Sequence, residues 1–244
     1  MDNGKILLVT GASSEVGASL IRKTANNYDR IWAHYHSSKN MIDNLINELG
    51  DKIIPVQADF RDMESTQQMI EKIQASGEWP GHIVHLSASS PASQRFPKNE
   101  WNHWQEEIDT SLRSVVMILQ AFIPKMAKVK YGKIVMVLTS YLFGIPPKFQ
   151  SSYITVKYAL LGLVRTLATE YAPKGITVNA VSPDMMETKF LSNLSELAIE
   201  QSAKDNPRGR NIKVEECVPA IEYFLSSVSD MVTGQNMGIT GGAR

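Results

Sequence analysis

The sequence predicts an α/β domain: one doubly wound parallel sheet of about seven strands with helices on both faces. Three observations lead there. Short apolar runs alternate with longer segments of helical period along all 244 residues. Several of those runs are apolar throughout, as strands covered on both faces must be. A glycine-bearing turn, Thr10-Gly11-Ala12-Ser13-Ser14-Glu15-Val16-Gly17, joins the first run to the first helical segment.

The strand candidates are 5–10, 30–35, 52–58, 82–87, 133–139, 176–181 and 235–240. Helix candidates lie near 15–27, 38–49, 62–75, 100–130, 151–172 and 214–227. Right-handed crossovers between parallel strands then place helices on both faces, a Rossmann-type arrangement. Hydrophobic residues make up 43% and charged residues 20%, which suits one large core in a single domain over 1–244. No repeat, low-complexity tract or long linker divides the chain.

Lysine plus arginine and aspartate plus glutamate number 25 each, so charge gives no case for nucleic acid or a membrane surface. No window approaches the roughly 20 apolar residues of a membrane span. Nothing resembling a signal peptide precedes the first strand, and a cytoplasmic location is the default expectation. The one cysteine, Cys217, lies in an apolar helical stretch and reads as a buried structural thiol. No metal-binding set is expected.

A doubly wound sheet takes its ligands beyond the carboxyl ends of its strands. The loops of interest are therefore 11–17, 36–38, 59–61, 88–98, 140–150 and 182–207. The last is the longest. Its apolar members Met185, Met186, Phe190, Leu191 and Leu194 predict a short helical lid over the substrate, near 184–207; an ordinary surface helix is the alternative.

Glycines in a first strand–helix turn let the backbone approach a pyrophosphate, whose charge meets the helix N-terminus. Gly11, Ser13, Ser14, Glu15, Val16 and Gly17 are the candidates. Glu15 stands where a third glycine is usual and is expected in the first helical turn, pointing outward. A site for NAD(H) usually offers an acid at the end of the second strand. Here the stretch is Tyr35-His36-Ser37-Ser38-Lys39, with hydroxyls, a histidine and a lysine able to hold a 2′-phosphate. NADP(H) is favoured over NAD(H). Asp59, after the third strand, is positioned to accept from the adenine amino group.

Tyr153 and Lys157 are four residues apart and so share one face of the 151–172 helix. A tyrosine hydroxyl titrates near 10, and a neighbouring ammonium is expected to lower that value. Such a tyrosine can serve as general acid in carbonyl reduction and general base in alcohol oxidation. Ser140, at the end of the fifth strand, is placed to polarise the substrate oxygen.

These pieces, in this order, resemble the short-chain dehydrogenase/reductase family, and its 3-oxoacyl-acyl-carrier-protein reductase branch most. The likeness includes the loop 10–17, Asp59, the Ser140/Tyr153/Lys157 set and Asn179-Ala180-Val181-Ser182-Pro183. It closes on Thr233-Gly234-Gln235 and Gly241-Gly242. The resemblance implies that Lys157 also holds the nicotinamide ribose, and that Pro183, Met185 and Thr188 hold the carboxamide end and pyrophosphate. It adds Phe60, Ser87 and Ala88 to the cofactor set.

The chain departs from the family at three places. Leu86-Ser87-Ala88-Ser89 replaces Asn-Asn-Ala-Gly. Ser111 replaces the fourth catalytic residue, an asparagine that helps hold a relay water behind the lysine. Asp184 replaces the glycine after Pro183. A rearranged or slower proton relay is expected.

The apolar loop Tyr141-Leu142-Phe143-Gly144-Ile145-Pro146-Pro147 and the lid point to a hydrophobic ketone or acyl chain. The resemblance also suggests an acyl carrier protein docked through Lys130 and Lys174 near the site; both read equally well as solvated charges. It implies a homotetramer formed through the 100–130 and 151–172 helices and the last strand. Ala159, Leu160, Leu163, Leu167, Val115, Val116 and Leu119 are candidate interface residues, or core. Two other readings remain open: an alcohol or sugar dehydrogenase, and a dinucleotide-binding protein without catalysis.

Overall fold

The computed structural model describes residues 5–90, 93–192 and 194–244. Seven strands, β1 (Ile6–Thr10), β2 (Arg30–Tyr35), β3 (Ile53–Gln57), β4 (His82–His85), β5 (Gly132–Val137), β6 (Ile176–Pro183) and β7 (Asn236–Ile239), form one sheet. Their order is β3-β2-β1-β4-β5-β6-β7, every pair parallel. The order reverses between β1 and β4, which opens a crevice at their carboxyl ends.

The helices are α1 (Glu15–Thr24), α2 (Lys39–Leu49), α3 (Met63–Ala75), α4 (Trp101–Glu107), α5 (Ser114–Val129), α6 (Ser151–Tyr171), α7 (Glu196–Asp205) and α8 (Val214–Leu225). The strand pleat sorts the core into two layers. Ile6 and Leu8 of β1 face a cluster built with Met69 and Ile73 of α3, Ile118 and Phe122 of α5, and Leu160 and Val164 of α6. Leu7 and Val9 face the other way, onto Leu20 and Ile21 of α1, Leu45 of α2 and Phe224 of α8. Cys217 is fully buried in this second layer, and burial pushes its thiol up to about 12, as suits a structural role.

Two helical expectations are corrected. The 100–130 segment is helical from 101 to 129 but not α throughout: a π-helical turn, Ile108–Arg113, lies between α4 and α5. There the Ser114 amide donates to the Asp109 carbonyl, five residues back. The extra residue re-aims the side chains of the turn, a device that recurs at functional sites. Among the described residues of 185–194, where a helical lid is expected, the one helical turn is a 3₁₀ turn, Lys189–Leu191. The helix comes later, as α7, because Ser195 caps it by accepting from the Ala198 amide and Glu196 sits in its first turn. No helix among the described residues is long and apolar enough to cross a membrane.

Candidate active site

A cavity of about 510 Å³ lies at the carboxyl ends of the strands, lined by the glycine loop, the ends of β2–β6 and the segment after β6. Gly11 adopts φ +68°, and an added Cβ would stand 3.3 Å from the Ser87 amide. Gly17 lets α1 approach: its Cβ would meet the Gly11 carbonyl at 2.6 Å. Ser14 caps the helix, accepting from the Gly17 amide at 3.1 Å while donating to the Gly11 carbonyl at 2.8 Å. Glu15 and Val16 of the first turn line the cavity, at the positive end of the helix.

The first half of the site is braced by a residue absent from the sequence expectations. His34, in β2, is 3% exposed and stacks on Phe60 at 4.0 Å. Its Nδ1 accepts from the Gly11 amide at 3.0 Å, and its Nε2 pairs with the Ala58 carbonyl at 3.1 Å. Those partners require the neutral tautomer protonated on Nε2. Burial holds its pKa down at about 4.

His36, Ser38, Asp59, Phe60 and Arg61 form the far end of the cavity. Arg61 pairs with Asp59 at 2.8 Å, and its hydrogen bonds hold the carboxyl down at about 2. His36 Nε2 lies 3.5 Å from both partners. Lys39 does not join them, because it pairs with Asp43 one turn along α2 at 3.0 Å. Arg61 is the cation that sequence reasoning missed here.

Most of the expected cofactor residues line the cavity: Gly11, Ser13, Ser14, Glu15, Val16, His36, Asp59, Phe60, Ser87, Ala88, Tyr153, Lys157, Pro183, Met185 and Thr188. Gly17, Tyr35 and Ser37 do not. Gly17 is packed under the loop, Tyr35 is in the core and Ser37 is exposed. Glu15 does not simply point outward; its Oε1 accepts from the Lys189 amide at 3.2 Å and so ties the segment after β6 to the glycine loop. Ser87 Oγ is buried in the cavity wall without a hydrogen-bond partner. With the glycine cradle and the helix terminus, this orphan hydroxyl fits a ligand rich in hydroxyl and phosphate oxygens.

Ser140, Tyr153 and Lys157 meet on the opposite wall. Ser140 opens a 3₁₀ turn after β5, while Tyr153 and Lys157 lie in the first two turns of α6. Lys157 Nζ is 5.5 Å from the Tyr153 ring centroid and donates to the Val137 carbonyl at 3.0 Å. The expected lowering of the Tyr153 pKa is not what this arrangement produces. Burial raises it above 10, the Glu107 carboxylate adds to the rise, and the Thr139 hydroxyl works against it. Burial also lowers Lys157, with Glu107 opposing.

Two of the departures rearrange this wall. Ser140 is fully buried and donates its hydroxyl to Asp184 Oδ1 at 2.8 Å. The side chain that replaces glycine thus takes the proton expected to face substrate. Arg244 stands behind, its Nε 3.9 Å from Asp184 and its guanidinium 4.5 Å above the Tyr141 ring. Ser111, in the π-turn, is fully buried, its Oγ unpartnered, and it does not line the cavity. Its carbonyl accepts from His85 Nε2 at 2.9 Å, and His85 Nδ1 accepts from the Thr10 hydroxyl at 2.8 Å. Burial holds His85 neutral, with its pKa at about 3. A histidine inside an otherwise apolar buried strand was the available signal for both His34 and His85.

Lys130 and Lys174 precede β5 and β6, at the amino ends of the strands. They are neighbours: a Cβ on Gly175 would fall 2.2 Å from the Lys130 carbonyl. They therefore stand at the opposite edge of the sheet from the cavity, not near it. Of the expected assembly residues, Val115, Leu119 and Leu160 are buried in this chain's own core. Val116, Ala159, Leu163 and Leu167 keep exposed surface.

A family model described as enoyl-(acyl carrier protein) reductase matches residues 11–244. The chain is 32% identical to the 3-oxoacyl-[acyl-carrier-protein] reductase of Thermotoga maritima, over 98% of this chain and 97% of that protein. It is 30% identical to nodulation protein G of Azospirillum brasilense, over 98% and 97%. Its fold matches a 3-oxoacyl-[acyl-carrier protein] reductase with bound NAD from Brucella melitensis, with a TM-score of 0.87 at 22% identity, over 98% and 90%.

Proposed function

The chain belongs to the short-chain dehydrogenase/reductase family, and from that premise we propose that it is an NADP(H)-dependent reductase of a 3-oxoacyl or related hydrophobic ketone. The observation that carries this reading is the convergence of Ser140, Tyr153 and Lys157 on the cavity that also holds the glycine loop. A nicotinamide dinucleotide in that cavity would supply the hydride. The first-turn backbone of α1 and Ser14 would hold its pyrophosphate, Ser87 a ribose, and His36 with Arg61 its 2′-phosphate. Tyr153 gives its proton to the substrate oxygen as general acid. Lys157 keeps a positive charge beside the resulting phenolate. Ser140 orients the substrate oxygen, once its hydroxyl has turned from Asp184.

The relatives' names favour a carrier-bound acyl chain as substrate. Lys130 and Lys174 serve such a carrier only if a second copy brings them to this cavity, which agrees with a tetramer built on the exposed faces of α5 and α6. An alcohol or sugar dehydrogenase would use the same residues in reverse, since proton and hydride transfer are reversible.

The test is oxidation of NADPH and of NADH against a panel of ketones, repeated as reduction with the alcohols. NADPH consumption faster than NADH consumption, falling about 10²–10⁴-fold in Tyr153→Phe, is expected. Undiminished activity in that variant would overturn the mechanism. Absence of turnover with bound dinucleotide would favour the non-catalytic reading.

A further inference from the structure

The buried face of the segment from α4 to α5 runs through Glu107, Ser111, Ser114, Val115 and Ile118. All but Glu107 are small or apolar. Glu107 is 3% exposed, and its Oε2 is buried without a hydrogen-bond partner. An unpaired charge in such a place costs several kcal/mol, so a buried acid is either neutral or matched by a nearby cation.

The cation on the helix packed against this segment is Lys157. It is 4% exposed, and one of its three ammonium donors goes to the Val137 carbonyl. Helix α4 and the π-turn that follows pack directly against α6, which carries Lys157. The other titratable groups around the pair are Tyr153 on α6, His85 on β4 and Glu106 on α4 itself. His85 is fixed neutral between Thr10 and Ser111. It also occupies the Ser111 carbonyl, leaving that acceptor committed. Glu106 lines the cavity, whereas Glu107 stands behind its wall, next to Ser89.

We propose that Glu107 is the counter-ion of Lys157, a positioning residue that acts on the reaction through Lys157 and Tyr153: its carboxylate keeps the Lys157 ammonium charged beside the phenolate left when Tyr153 gives its proton to the substrate oxygen. The directions of the shifts agree: burial raises Glu107 and the Lys157 charge works against that rise, while the Glu107 charge raises Lys157 against its own burial.

Its consequence for turnover rests on the reductase reading; the pairing itself does not. The decisive measurement is an NMR titration of the Lys157 side chain in ¹³C-lysine-labelled protein, its signal assigned by its loss in Lys157→Met. Glu107→Gln should lower the Lys157 pKa by about one unit or more. Glu107→Asp, which keeps the charge but withdraws it by one methylene, should restore part of that shift and remains informative if the glutamine variant folds poorly. With a ketone substrate, the alkaline limb of kcat should move to lower pH in Glu107→Gln, with KM little changed. An unmoved Lys157 titration in both variants would overturn the proposal. An inactive wild-type protein would instead overturn the reductase reading, and the titration would still decide the role of Glu107.

Discussion

The two walls of the cavity are built on different principles. The cofactor wall is fixed by backbone. Its loop is held by a glycine at φ +68°, a serine cap and a neutral histidine, each bonded to main-chain atoms. The catalytic wall is fixed by charge. Asp184 holds Ser140, and the helix that carries Glu107 packs on the one that carries Lys157. Backbone geometry depends little on pH or on ligand, whereas a buried charge responds to both. The first wall is therefore sensitive to pH where its neutral histidine sits, and the second is where the buried charges gather.

The largest effect expected from this contrast is in acid. His34 and His85 both have folded pKa values below the ordinary 6.5, at about 4 and about 3. The neutral form is the one that folds, so their contribution is fully present above pH 6.5 and fades as pH falls through the folded values. The loss should reach on the order of 2–3 kcal/mol per histidine. Denaturant midpoints measured from pH 7 to pH 4 should fall accordingly, and His34→Asn should flatten part of that slope. An identical slope in the variant would remove His34 as a cause.

Next in size is Gly17→Val. The first added carbon would press on the Gly11 carbonyl from 2.6 Å, so α1 must lift from the loop. A loss of about 1–3 kcal/mol in stability is expected. Dinucleotide affinity, read by calorimetry, should fall with it. If affinity survived, the packed glycine would not be what shapes the cradle.

The smallest effect concerns the second wall. Asp184→Gly should free the Ser140 hydroxyl for substrate and raise kcat/KM for a neutral ketone about threefold to tenfold, the worth of one hydrogen bond of roughly 1 kcal/mol. A fall instead would mean that Asp184 itself orients the substrate. Comparison with Glu107→Gln would then tell which of the two buried acids governs turnover.

Much of the fold was legible in the chain alone. Continuous apolar runs such as Ile6-Leu7-Leu8-Val9, closed by a glycine turn, read as strands buried on both faces, and β1 sends alternate residues to two separate cores. The i, i+4 spacing of Tyr153 and Lys157 put both on one helical face, and both line the cavity. The glycine loop and Ser140 were equally local signals. The π-turn was not. A single helical period over 100–130 hides one inserted residue, because the pattern of apolar residues resumes beyond it.

The sequence by itself thus determined the sheet, its connections and the set of residues brought to the crevice, because strand and helix periods are local properties of the chain. Only the tertiary structure decided what those residues face. Tyr153 is expected to be lowered by Lys157 when the pair is read alone, yet burial and Glu107, 46 positions away along the chain, raise it. Asp184 reads as a mere substitution until β6 ends beside Ser140, 44 positions earlier, and takes its hydrogen bond. Electrostatics depends on distance through space and on exclusion of water, and neither is written in the spacing of residues along a chain.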